Sequence, residues 1–179
     1  YTTDKTTIQP WVESVSLGYT LVNGVIGAIT FADSNTTQFL PNDTNTPISY
    51  KLIATSNLVS GDPTFSNMII GIDWIDNPPV GLHAWVEVVP GSINNTIAEF
   101  GPGTVTQFKV RFLTGAGVNL LDGSYRFQVT GRLASNPAIT LTPSPEGTIL
   151  TGSPSFTLSV VPADKQKVVV QGDAAVFNI

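Results

Sequence analysis

Phe108-Lys109-Val110-Arg111-Phe112, then Leu121-Asp122-Gly123, then Tyr125-Arg126-Phe127-Gln128-Val129-Thr130 form the stretch whose reading decides the fold. Apolar and polar residues alternate, so an extended chain puts Phe108, Val110 and Phe112 on one face and Lys109 and Arg111 on the other. Tyr125, Phe127 and Val129 repeat the pattern against Arg126, Gln128 and Thr130, and Leu121-Asp122-Gly123 between the two runs supplies turn chemistry. Just upstream, Trp85-Val86-Glu87-Val88-Val89-Pro90 is a strand that ends where a proline removes a ladder donor, and Gly101-Pro102-Gly103 is a turn. The pattern predicts three consecutive antiparallel strands over residues 82–133, with Trp85, Phe108, Val110, Phe112, Tyr125, Phe127 and Val129 mostly buried.

The same grammar extends in both directions, and no segment makes an amphipathic helix. Val15, Leu17, Tyr19 and Leu21 alternate with Ser16, Gly18 and Thr20, followed by the turn pair Asn23-Gly24. Val25, Ile29 and Phe31 continue that face until Asp33-Ser34-Asn35-Thr36-Thr37 breaks it; Ile48, Tyr50, Leu52 and Ala54 form the next. Met68 to Ile72 reads as a short buried strand, closed off by Asp76-Asn77-Pro78-Pro79. Pro137 to Pro154 reads as a Pro-, Thr- and Ser-rich excursion, with two further strands at Phe156 to Val161 and Lys167 to Ile179. One core is the simplest organisation for 179 residues: an N-terminal extension over 1–22 and a single β-sandwich domain over 23–179.

Composition bounds the partners. Charged residues make up 12%, about half the usual share, so Thr, Ser, Asn and Gln must cover the surface. Eight Lys and Arg, unclustered, within a net charge of −5 leave no footprint for a phosphate backbone, which argues against nucleic acid. There is no cysteine, hence neither disulfide nor thiolate ligand. No apolar run approaches the ~20 residues of a membrane-spanning helix. A chain starting at Tyr1 is read as a mature one whose leader has been removed, so the expected location is extracellular, at the cell surface.

Signals for catalysis are absent. The single histidine, His83, has no cysteine, second histidine or Gly-x-Ser-x-Gly turn to work with. Asp73 and Asp76 flank Trp74-Ile75 but lack the repeated Asp/Asn ladder of a calcium loop. Trp11, Trp74 and Trp85 suit a core better than a carbohydrate platform. Gly101-Pro102-Gly103 leads into a strand, not the helix N-terminus that a phosphate cradle needs. The expectation is therefore no enzyme, no cofactor and no metal. Three Asn-x-Ser/Thr sequons, at Asn35, Asn42 and Asn94, fall in segments read as loops and are candidates for N-linked glycans. Lys51 and Lys109 raise the idea of a covalent cross-link beside an acid such as Glu87, but their alternation places them opposite the main apolar faces.

The proline-ended strand, glycine turn, alternating strand and Asp-Gly-x-Tyr of residues 82–133 resemble the immunoglobulin-like modules of bacterial and archaeal cell-surface proteins. That resemblance implies an immunoglobulin-like antiparallel β-sandwich with additional strands, an all-β fold used chiefly as scaffold. With no cysteine, three sequons and abundant Thr and Asn, the chain further resembles archaeal thread-like filament subunits. The implied function is a structural subunit of an extracellular filament, binding copies of itself by donor-strand complementation. Val15, Leu17, Tyr19 and Leu21 are the candidate donor plugs; Val168, Val170, Val176 and Ile179 can instead pair within their own sandwich. The alternatives are a non-polymerising surface-layer or adhesin module, and a virion decoration or fibre protein.

Overall fold

A computed structural model describes residues 24–42 and 45–152, and every element in it is a strand. They are β1 (Gly24–Phe31), β2 (Thr37–Pro41), β3 (Ile48–Ser56), β4 (Phe65–Trp74), β5 (His83–Glu87), β6 (Thr96–Phe100), β7 (Val105–Leu113), β8 (Gly123–Leu133), β9 (Ile139–Thr142) and β10 (Gly147–Gly152). Pairing runs β2-β10-β8-β9-β1-β3-β7-β5, with β4 bonded to β8 and β6 to β4. This continuous sheet folds into two layers. Tyr50 of β3 meets Phe127 of β8 edge-on at 5.1 Å between ring centroids, and Phe112 of β7 meets Phe127 at 4.8 Å and Trp74 of β4 at 5.7 Å. One layer is thus β9-β1-β3-β7-β5 and the other β2-β10-β8-β4-β6, joined where β9 touches β8. The fold is all-β, an open sandwich consistent with immunoglobulin-like topology.

The core follows the period-2 pattern. Phe108, Val110, Phe112, Phe127 and Val129 are buried, as are Tyr50, Leu52 and Ala54. The Tyr50 hydroxyl, buried between the layers, donates to the Thr148 carbonyl of β10 and accepts the Gln38 N–H of β2. Burial holds it protonated well above its ordinary range. Pairing is mostly antiparallel, but β1–β9 and β2–β10 are parallel.

Several expectations need correction. Residues 82–133 hold four strands, not three, and β7 and β8 lie in opposite layers, so Leu121-Asp122-Gly123 does not close a hairpin between them. The connection crosses from one layer to the other, with Leu120 buried; Asn42 fixes it, accepting the Leu120 N–H at 2.9 Å and donating to the Leu120 carbonyl at 3.1 Å. Trp85 and Tyr125 are half-buried. Val86 takes the inward direction on β5, so its neighbour Trp85 must face out, and Tyr125 lies at the strand end beyond the core. On β1 the inward residues are Ile26 and Ile29 while Val25 is exposed, because a register irregularity between Val25 and Ala28 switches the parity.

The Pro-rich excursion is in fact two strands. Pro143 and Pro145 cannot donate to a ladder, and the chain leaves β9 and rejoins β8 as β10 across this break. Buried Ser144 fills the gap: its N–H donates to the Val129 carbonyl and its Oγ accepts the Val129 N–H, both at 2.9 Å.

Candidate functional site

The sandwich is closed along one side, where β8 pairs β9, and open along the other, where β5 ends one layer and β4 and β6 end the second. The length mismatch between β4, ten residues, and β6, five, leaves part of β4 bare. Their ladder runs from Phe65↔Phe100 to Ile69↔Thr96. One more step ties Ile70: its N–H donates to the Asn95 carbonyl at 2.8 Å and its carbonyl accepts from Asn95 Nδ2 at 3.2 Å. Peptide groups of one parity point the same way along a strand, so those of Ile72 and Trp74 also point away from β8, toward the open side. No β-pairing meets them among the described residues.

On the facing edge, Val88 N–H donates to the Asn94 carbonyl at 2.7 Å, and by the same parity Val86 and Ala84 present their peptide groups outward. The two bare edges border a cavity of about 350 Å³ lined by Ile70, Ile72, Trp74, Ala84, Val86 and Ile93. Asn94 and Asn95 join the layers at its lower end, and the connection from β4 to β5 crosses at its upper end. Between these limits, Ile70 to Trp74 spans ~13 Å of extended chain. Ile93 is 84% exposed and Val80, in the β4–β5 connection, 99%. The site is a seam, a largely apolar depression between the β4 edge beyond Ile70 and the β5 edge beyond the Glu87–Asn94 bridge, and a strand edge without β-pairing can take up an extended segment by backbone hydrogen bonding.

Of the residues singled out in the sequence, Trp74 and Trp85 line this depression. Val15, Leu17, Tyr19 and Leu21, and Trp11, fall outside the described residues, as does the 153–179 segment. Asn35 is exposed in the β1–β2 connection, Asn42 is bonded to Leu120 as above, and Asn94 is half-buried with Oδ1 accepting the Thr96 N–H at 2.8 Å. His83 is exposed at the start of β5. Asp73 is exposed near the end of β4, while Asp76 accepts from the Arg126 guanidinium at 3.1 Å and from the Arg126 backbone N–H at 2.9 Å, which together hold its carboxyl below the ordinary range. No cluster of three or more His, Asp or Glu able to hold a metal occurs among the described residues.

Glu87 is 6% exposed, and the Arg111 guanidinium binds both carboxylate oxygens while Gly91 N–H donates to Oε1 at 2.8 Å. Arg111 first and Gly91 second hold its carboxyl below the ordinary range. Lys109 is the cross-strand neighbour of both Glu87 and Lys51, beside a cavity of about 230 Å³. With both oxygens engaged by Arg111, the Glu87 carboxylate serves an ion pair.

The seam was missed in the sequence because Met68 to Ile72 looks satisfied as a short strand; only the excess of β4 over β6 betrays a bare edge. No helix of the described residues is long and apolar enough to cross a membrane. No protein-family model and no curated protein matches the chain. Among solved structures, AvmM, which catalyses macrocyclization in alchivemycin A biosynthesis, is 7% identical with a TM-score of 0.47, covering 76% of this chain and 94% of that one. A family 123 glycoside hydrolase from Clostridium perfringens is 8% identical with a TM-score of 0.38, covering 64% of this chain and 23% of the enzyme. PapD-like domain 7 of human CEP192 is 11% identical with a TM-score of 0.34, covering 81% and 97%. Likenesses at this level assign no function.

Proposed function

We propose that the protein is a non-enzymatic structural subunit of an extracellular, cell-surface filament, which assembles with copies of itself by accepting a donated strand. The observation that carries this reading is the seam, where β4 runs on past the end of its ladder with β6 and its edge lies beside apolar side chains. A bare edge in water satisfies its peptide groups with solvent, and an added strand replaces that solvent while its alternate side chains cover Ile72 and Trp74. The sparse charge, 12% charged residues in all, suits close packing of copies. Negative-stain microscopy and sedimentation of the full chain test the reading: filaments are expected, and a monodisperse monomer at high concentration would refute it.

A second reading, a non-polymerising surface module, is favoured by one observation. Gly152 closes β10 at the same end of the sandwich as Trp74, so residues 153–179 start near the seam of their own chain. In that case the seam is filled intramolecularly and sedimentation reports a monomer.

A further inference from the structure

We infer that the outer face of the β3-β7-β5 layer binds a carboxylate-bearing saccharide, with a cationic subsite at Lys51 and Lys109 and an aromatic one at Trp85. The chain has a net charge of −5, yet three of the five Lys and Arg among the described residues, Lys51, Lys109 and Arg111, stand on this one face. Two rows cross it, one of Trp85, Arg111 and Ser49, the other of Glu87, Lys109 and Lys51. The Arg111 guanidinium and the Gly91 N–H hold the Glu87 carboxylate, and neither lysine is bridged to a carboxylate among the described residues.

The two lysines oppose each other closely. Ser56 N–H donates to the Thr104 carbonyl, so the even-numbered residues of β7 bond to β3, and Lys51↔Lys109 is a non-hydrogen-bonded pair, the kind whose side chains come nearest. Like charges placed so repel, and an anion bound between them turns that repulsion into charge-assisted hydrogen bonds. The odd-numbered residues of β7 point their peptide groups toward β5. Because β5 ends at Glu87, the partner of Lys109, the Gln107 N–H and carbonyl meet no β-pairing among the described residues. They border the hollow of about 230 Å³ beside Lys51 and Lys109, where Val88 and Pro90 supply an apolar wall.

A sugar ring matches this mixture. It offers a C–H face to Val88 and Pro90, hydroxyls to Gln107 and, in a uronic acid, a carboxylate to the two ammonium groups. On the other side of Glu87 a second hollow, of about 330 Å³, is lined by Trp85, Gly91, Ser92 and Arg111. Trp74 packs against Phe112 and Phe127 in the core, whereas Trp85 is half-buried and turned outward, so its indole is placed to stack on a ring. Trp85 and Glu87 stand ~7 Å apart along β5, which puts the two hollows within reach of one short oligosaccharide. A simple anion uses the lysines alone; the aromatic hollow beside them points to a saccharide chain.

Isothermal titration calorimetry of the full chain tests the site with oligosaccharides of polygalacturonate, alginate and hyaluronan, against dextran oligosaccharides and poly-glutamate. At least one uronic-acid oligosaccharide is expected to bind, more weakly as salt rises, and about ten-fold or more tighter than dextran or poly-glutamate. Lys51→Gln with Lys109→Gln, and separately Trp85→Ala, should each weaken that binding about ten-fold or more, while Lys109→Arg keeps it. The double lysine variant removes a like-charge pair from the surface, so its melting curve should show the fold intact. Poly-glutamate binding as tightly as the saccharides, with Trp85→Ala without effect, would overturn the saccharide in favour of plain charge attraction. Equal binding of dextran, or no binding of any uronic-acid oligosaccharide by the parent chain, would overturn the site.

Discussion

Replacing Phe127 by alanine probes the joint between the layers. Phe127 is 0% exposed and its ring contacts Tyr50, Phe112 and Trp74, so one truncation unseats side chains from β3, β7 and β4 together. Gly147 presses on the same ring, since a Cβ there would lie against Phe127 Cζ, and without a side chain at 147 the void has no neighbour ready to fill it. A Phe→Ala change in such a core costs about 3–5 kcal/mol. That is a large fraction of the ~5–15 kcal/mol a domain has in all. For a chain of this size the loss corresponds to a fall in Tm of about 6–20 °C. Guanidinium unfolding followed by tryptophan fluorescence measures it, Trp74 standing 6.0 Å from the Phe127 ring centroid. The control is Val80→Ala, at a fully solvated position, which should stay within about 0.5 kcal/mol of the parent. A loss below about 1 kcal/mol for Phe127→Ala would mean that the layers do not interlock through this ring.

Other outcomes follow from single contacts. Ser144→Ala strands the buried Val129 N–H and should cost about 1–3 kcal/mol, with faster hydrogen exchange at the Val129 amide; unchanged exchange would show that Ser144 does not bridge the break. Gly27→Ala pushes a methyl against the Thr55 carbonyl of the neighbouring strand and should cost about 1–3 kcal/mol by thermal melt. Glu87 has its pKa lowered from 4.5, so its contribution is present above that value and is lost as pH falls through the folded-state value. Glu87→Gln should therefore flatten the acid limb of the stability profile, and an unaltered limb in urea titrations below pH 4.5 would refute the role given to Arg111.

The strands were legible where alternation meets a single buried face. Phe108, Val110 and Phe112 could be assigned from spacing alone, because Lys109 and Arg111 between them take the opposite face, where Arg111 pairs with Glu87. Which strands pair was not legible. Leu121-Asp122-Gly123 carries hairpin chemistry, yet burial of Leu120 and the Asn42 clamp draw the chain across to the other layer, a long-range effect with no local signal. Pro143 and Pro145 hid β9 and β10 because a proline disqualifies a continuous strand, whereas here Ser144 supplies the missing ladder partners. At the seam, the apolar face of Ile70, Ile72 and Trp74 could be read, but the bare edge is a relation between β4 and β6.

The two parallel pairings bear on how the chain acquires its shape during synthesis. Gly24 pairs with Ile139 and Thr37 with Thr148, so β1 lacks one neighbour until 115 residues more have been made (139 less 24). At ribosomal speeds of about 5–20 residues per second that is on the order of 6–23 s. Over this interval Ile26, Ile29 and Leu40 have no completed sandwich to enter, and a half-made product carries apolar strands with open edges. Partial chains ending before Ile139 should therefore bind chaperones or aggregate, and the native fold should arrive late and all together, once β9 and β10 bring the two layers into register.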